Sequence, residues 1–505
     1  MSALIHCRNL LITQWDEALD YNWVGYDEDD EDDDTDEDEE ENSEENFRKI
    51  NVVEFKYLFE PSPEYYIGEL LFSQELNLES LELSSTFAGC RYILEDRIEQ
   101  FKNLTELILD IKGNRVYGPI MRDHTSWVLR HDRIRKLKLF FDQQMNNFTV
   151  ITPSLTSLRL SSMTIFSLPF VTSYASQLAF VDLQLDNPGL INDFFALKFP
   201  SLTHLRLQID GDQDEQERYA LLQDQHYADA YLDVEFVKSM PRLKYFRCES
   251  HMLFYRMAAA FAKFGQSQLE DFKLDWLHFN AEQLEKLQAL PRLKIFKMRR
   301  CEILGPPETP HILTRLYLPY LEELSLVYNK SQIVFDEGLA GLKKLKITVE
   351  TSKNHKILYK ICNNLPNLEH LRICLNARLV NTAFRHLDRL TKLQSIRVDN
   401  VDLNERLWQY CPKMAGVKKL VFTNGKLTMG TLKAAARLFP GLNELYLDEC
   451  YFQNCDVEIN GVEQEESDSE EDESIKTQYQ ERVRQHFPMC RVSFRHSAYL
   501  KSRYK

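Results

Sequence analysis

Nine of fifteen equivalent positions in this chain carry lysine or arginine, and these positions recur at an average spacing of 26 residues. The full column reads Glu82, Ile108, Lys138, Arg159, Asp182, Arg206, Arg247, Lys273, Lys297, Ser325, Lys346, Arg372, Arg397, Val421 and Tyr446, and Arg299 adds a cation two residues past Lys297. Guanidinium forks and ammonium groups collected in this way hold carboxylates and phosphates through charge-assisted hydrogen bonds. That is the chemistry of recognition rather than of bond-making. The chain has no Gly-rich phosphate loop, no His-Glu-x-x-His, no Gly-x-Ser-x-Gly and no Cys-x-x-Cys, so the expectation is a non-enzyme without catalytic, cofactor-binding or metal-binding residues. Cys450 and Cys455 with Asp448 match no common zinc spacing.

Like charges at strand spacing repel one another unless something offsets them. Glu249, Asp275 and Asp399 follow Arg247, Lys273 and Arg397 by two residues and are the expected local offsets. Arg206, Lys297, Lys346 and Arg372 have no acid at that step. The candidate partner-binding ladder is therefore Arg206, Arg247, Lys273, Lys297, Arg299, Lys346, Arg372 and Arg397, and its expected ligand is an acidic or phosphorylated segment of a protein.

The elements that must position this column are legible in the residues around it. Each member lies inside an apolar-x-x-apolar-x-apolar core, of which the clearest are Leu293-x-x-Phe296-x-Met298-x-x-Cys301-x-Ile303 and Leu442-x-x-Leu445-x-Leu447-x-x-Cys450-x-Phe452. The last two apolar residues of a core are two apart, so they share one face of a short strand and the charged residue between them takes the other. One such strand cannot bury its apolar face alone, and stacked copies join theirs into a continuous core. This is the leucine-rich-repeat signature. Pro153, Pro200, Pro241, Pro291, Pro319, Pro366, Pro440 and Pro488 each stand two residues before a core or a terminal strand, where proline stops a preceding helix. Residues 280–290, with Asn280 as N-cap, 355–365 and 428–439 carry helical patterns. The expected fold is an α/β solenoid of about 15–17 repeats, curved, with a concave parallel sheet and convex helices.

Charge is unevenly distributed along the chain. The formal net charge is −17, yet residues 27–45 hold sixteen acids in nineteen positions and residues 463–473 hold eight in eleven, and the remainder has 61 basic against 54 acidic residues. Such runs self-repel and bury nothing. The expected organisation is an apolar N-terminal segment or cap at 1–26, an acidic tract at 27–46, the solenoid at 47–455 with an insertion at 209–235, an acidic loop at 456–476, and a terminal repeat with a basic tail at 477–505. Ser467 and Ser469 have acids three residues further on and are the expected phosphorylation sites. The ladder itself is an expected docking place for the tract 27–45. No apolar run is long enough for a membrane span. Ten scattered cysteines without paired clusters suit reduced thiols in the cytoplasm or nucleus, and a monomer is expected.

A period near 26, helical returns and an inward cysteine at 301 and 450 resemble the cysteine-containing, ribonuclease-inhibitor-like repeats found in F-box receptors of cullin-RING ubiquitin ligases. The resemblance implies a target-recognition subunit whose second partner is a ligase adaptor. Residues 3–15 are too short for the three-helix F-box and lack its Leu-Pro opening, and are expected to form one apolar helix or a cap. A second resemblance is to the acidic leucine-rich nuclear phosphoproteins, which implies capture of histones or other basic proteins by the acidic tracts. Nucleic acid is disfavoured, because the basic column has no interleaved aromatic residues and the acidic tracts repel phosphate.

Overall fold

The computed structural model describes residues 9–13, 48–51, 78–86, 98–112, 127–141, 148–165, 167–185, 190–209, 238–249, 268–275, 278–280, 290–304, 313–327, 332–349, 355–375, 384–399, 402–403, 408, 410–453, 477 and 480–495. Both acidic tracts, Ser467, Ser469, Cys455 and most of the insertion at 209–235 lie outside them. The chain divides into two units, one built on residues 1–216 and 233–243, the other on 217–232 and 244–505.

In the first unit, parallel strands Ser80–Thr86, Glu106–Lys112, Lys136–Phe141, Ser157–Met163, Phe180–Leu185 and His204–Ile209 follow one another in sequence order. In the second, ten strands run in order from Tyr245–Glu249 to Arg491–Arg495. The register repeats without drift: Leu324, Leu345, Leu371, Ile396, Leu420 and Leu445 align on one face, while Ser325, Lys346, Arg372, Arg397, Val421 and Tyr446 align on the other. The first set is buried. Each unit is a stack of leucine-rich repeats.

Two backbone devices lock successive repeats together. The eight prolines occupy the second position of a four-residue turn closed from the residue before proline to the first core leucine or its terminal equivalent, as in Leu155 N to Thr152 O at 3.0 Å and Leu442 N to Phe439 O at 3.1 Å. Proline suits that position because its φ is preset and its missing N–H is not needed there. Just beyond six of these eight turns, two consecutive amides donate to one carbonyl of the preceding repeat, as Glu322 and Glu323 do to Lys294 at 2.7 and 2.9 Å.

A third device explains the cysteines. Arg300, Asn424 and Glu449 adopt positive φ (51°, 47° and 47°) directly after their strands. The chain thereby turns out of the main sheet, and buried Cys301 and Cys450 follow two of these turns. The Cys301 thiol donates to Arg299 O at 3.2 Å and lies 3.6 Å from Leu274 O of the preceding repeat; Cys450 donates to Asp448 O at 3.2 Å and Phe422 O at 3.3 Å. Burial pushes the Cys450 thiol up to about 12, which leaves it a packing and donor group rather than a nucleophile.

The described returns combine helices with short outer strands. His355–Asn364 and Met429–Leu438 are helical as the patterns predict, and Thr428 Oγ1 accepts from Thr431 N at 3.1 Å as an N-cap. Residues 281–289 of the third helical pattern lie outside the described residues, and its N-cap candidate Asn280 ends the short strand His278–Asn280, which pairs with Glu302–Leu304. Similar outer pairs join Leu313–Arg315 to Gln332–Val334 and line up Asp402–Leu403, Lys426–Thr428 and Tyr451–Gln453. An apolar residue two beyond the inward cysteine, such as Ile303, prolongs the extended chain before any helix begins.

Of the N-terminal segment, expected as an apolar helix or a cap, residues 9–13 are described. Asn9–Thr13 is a strand, not a helix, and it lies between Ser80–Thr86 (Ile12 opposite Leu83) and Arg48–Asn51 (Ile12 opposite Ile50). An unbroken Leu10-Leu11-Ile12 run has neither a strand nor a helix period, and the pairing with two neighbouring strands decides its conformation.

In the second unit, Phe272 stacks between Phe246 and Phe296 with ring centroids 5.4 and 6.0 Å away. Phe272→Ala is expected to lower the unfolding free energy by about 3–5 kcal/mol. Substitution of the next residue, Lys273→Ala, is expected to change it by under about 1 kcal/mol. Urea unfolding of both variants checks the alternation, and equal losses would contradict it.

Candidate functional site

Three rows of outward side chains cross each sheet: a central row between the last two apolar residues, a leading row two residues earlier and a trailing row two residues later. All eight predicted ladder residues lie on these rows, seven on the central row and Arg299 on the trailing one. Arg206 belongs to the first unit and the other seven to the second.

The offsets are more extensive than sequence spacing suggests. Arg206, Lys297 and Arg372 each have an acid, and it comes from a neighbouring strand. Arg159 Nε and Arg206 Nη1 lie 3.2 and 3.8 Å from Asp182 Oδ2. Lys297 reaches Glu323 at 3.2 Å, and Arg372 Nε reaches Asp399 Oδ2 at 2.5 Å. Adjacent strands present side chains about 5 Å apart in line and within reach on the diagonal, so an acid two positions off on the next strand serves as well as one on the same strand. Asp182, Glu323 and the reach of Asp399 to Arg372 were missed for that reason.

Two clusters with opposite stoichiometry frame the second unit's face. At one, Arg247 serves two acids, with Nε 2.7 Å from Glu249 Oε1 and Nη2 3.3 Å from Asp275 Oδ2. Asp275 is 7% exposed. Burial pushes its carboxyl up to about 6 against the pull of Arg247, with Glu249 adding to the rise. At the other, Asp399 is shared by two arginines, Arg372 at 2.5 Å and Arg397 Nε at 2.7 Å, and the Cys374 thiol also points at it from 3.2 Å. Burial alone would raise this carboxyl, but Arg372 and Arg397 outweigh that cost and hold it below the usual range.

These clusters divide the face by charge. On Tyr245–Glu249 and Asp271–Asp275, two cations, Arg247 and Lys273, meet three acids, Glu249, Asp271 and Asp275. Across the five strands from Ile295–Arg299 to Ser395–Asp399, six cations (Lys297, Arg299, Lys344, Lys346, Arg372, Arg397) meet two acids, Glu323 and Asp399. On Lys419–Thr423 and Glu444–Asp448 the balance returns to one cation, Lys419, against Glu444 and Asp448. The positive zone is thus five strands wide and flanked by acid-rich strands, narrower than the expected span from Arg206 to Arg397.

Along the edge where the strands begin, Lys244, Glu270, Lys294, Glu322, Lys343 and Glu369 alternate in sign. Lys244 and Lys294 pair with Glu270 at 3.7 and 2.9 Å, and Lys343 with Glu322 at 3.1 Å. This row neutralises itself, and its alternation at the repeat period is a sequence signal that the central column overshadows. His204 packs on Phe180 with centroids 5.9 Å apart, and burial, then Lys344, lowers the pKa of His370. Aromatic residues do lie on the outward face beside cations, since Arg159 covers Phe140 at 5.1 Å and Lys419 covers Tyr446 at 4.7 Å.

No family model and no curated relative matches the chain. Among solved structures it is similar to an internalin from Listeria monocytogenes, at 14% identity over 71% of this chain and 78% of that one, with a TM-score of 0.28. Another is the plant peptide hormone receptor RGFR1 in complex with RGF2, at 14% identity over 74% of this chain and 49% of the receptor, with a TM-score of 0.24. Likeness at this level says nothing of ligand or partner.

Because the folded Asp275 carboxyl titrates near 6 rather than 3.8, the folded state binds more protons than the unfolded one between those values. Stability must then fall as pH rises through that window. Urea unfolding is expected to show a contribution about 1 kcal/mol larger at pH 5 than at pH 7, which Asp275→Asn abolishes. An unchanged slope in the variant would contradict the assignment.

Proposed function

We propose that this chain is a non-enzymatic protein-interaction scaffold that captures an acidic segment of a partner on the outward face of the strands from Ile295–Arg299 to Ser395–Asp399. The observation that carries this reading is the excess of six cations over two acids there, between flanking strands where acids are in excess. A segment with several carboxylates is attracted to the middle of the face and repelled at both sides, which sets its position as well as its affinity. Within this reading the chain acts as a target-recognition subunit of the kind found in F-box receptors, in the cytoplasm or nucleus.

Replacing Lys297, Arg299, Lys346 and Arg372 together with Ser is expected to weaken binding of a fluorescent polyglutamate peptide at least about tenfold at low salt. Thermal unfolding should retain a cooperative transition. Binding that survives the fourfold change would remove the reading. Purification from native cells tests the role: recovery of a cullin adaptor supports target recognition, whereas recovery of histones with the acidic tracts required favours the acidic-protein reading.

A further inference from the structure

The positive zone is not uniform, and its three adjacent strands Lys344–Val349, His370–Leu375 and Ser395–Asp399 place Lys346, Arg372 and Arg397 side by side in register. We propose that these three residues form a recognition site for a phosphorylated serine or threonine in the partner, a narrowing that rests on the acidic-segment reading above.

Charge and geometry both point to phosphate. On the described outward positions of these three strands, Asp399 is the one carboxylate against Lys346, Arg372 and Arg397 and is shared by the two arginines, which leaves these four residues with two more positive charges than negative. A phosphomonoester brings about −1.5 to −2 charges and three acceptor oxygens near neutral pH, whereas a carboxylate brings one charge and two oxygens. Strands about 4.8 Å apart place the three side chains on backbone within about 10 Å, close enough for long Lys and Arg side chains to converge on one phosphate. Asp399 holds both arginines by Nε, through opposite oxygens, at 2.5 and 2.7 Å. That contact fixes the guanidinium planes before any ligand arrives, so less ordering is needed on binding. Asp399 acts as a positioning residue, seated on the trailing row and clear of the central one.

Two other arginine clusters among the described residues are built differently. In the first unit, Arg159 and Arg206 also share one acid, but Asp182 stands between them on the central row itself and fills the place a phosphate would need. At Arg247, two carboxylates, Glu249 and Asp275, surround one guanidinium and would repel phosphate.

The test uses the full chain and three pools of short degenerate peptides with serine, glutamate or phosphoserine fixed at the centre, read by fluorescence anisotropy at physiological salt. The phosphoserine pool is expected to bind at least about tenfold more tightly than the glutamate pool. Arg397→Lys, which keeps the charge and removes the fork, and Lys346→Gln should each erase most of that preference, while Arg292→Lys, at an exposed turn where Arg292 donates to Gln268, leaves it intact. Circular dichroism confirms that each variant is folded. Equal binding of phosphoserine and glutamate pools overturns the phosphate assignment and leaves the acidic-segment reading standing. Glutamate and phosphoserine pools that bind no better than the serine pool overturn both. A phosphoserine preference that persists in Arg397→Lys and Lys346→Gln overturns the placement of the site.

Discussion

In the second unit, a parallel sheet whose register does not slip sets outward side chains against their equivalents on neighbouring strands about 4.8 Å away. Apolar positions gain from this, because Leu324, Leu345, Leu371, Ile396 and their successors pack into one unbroken core. Charged positions do not, because a column of lysines and arginines repels itself along its whole length. The sheet answers with carboxylates drawn from neighbouring strands, and the local ratio of acids to bases then decides what each stretch of the face can hold.

That ratio is the link between fold and function here. Where one arginine serves two acids, at Arg247, a carboxyl is driven up toward neutral pH by burial and by its neighbour. Where two arginines serve one acid, at Asp399, the carboxyl stays ionised and both guanidiniums are held in place. Arginines and carboxylates in nearly the same register thus give two acids around one guanidinium at one place and two guanidiniums around one acid at the other. Binding capacity is then a property of the arrangement of strands rather than of any single residue.

Much of this was legible in the residues. The period of 26 and the paired apolar positions established the strand face, the inward cysteines and the outward column, and each lies in the structure where its spacing placed it. The prolines were legible as punctuation, but their role in closing a hydrogen-bonded turn depends on the carbonyl of the residue before them, which sequence does not display. The ion pairs were only half legible. A pairing rule confined to one strand found Asp399 for Arg397 and missed it for Arg372, since the second contact crosses between strands. The N-terminal strand escaped notice because Asn9–Thr13 joins the sheet next to Ser80–Thr86, far along the chain, and no local period announces such a contact. The outer strands were hidden for a related reason: Ile303 or Phe452 is as suited to a helix start as to an extended return.

Lysine footprinting tests the central claim most directly. The full chain would be acetylated with a limiting amine reagent, with and without saturating polyglutamate peptide, and the modified lysines quantified by mass spectrometry. Lys297 and Lys346 are expected to lose reactivity when the peptide binds, while Lys102 and Lys392, which lie at turns away from the outward rows, keep theirs. Protection spread evenly over all four lysines, or confined to the turns, would contradict the account.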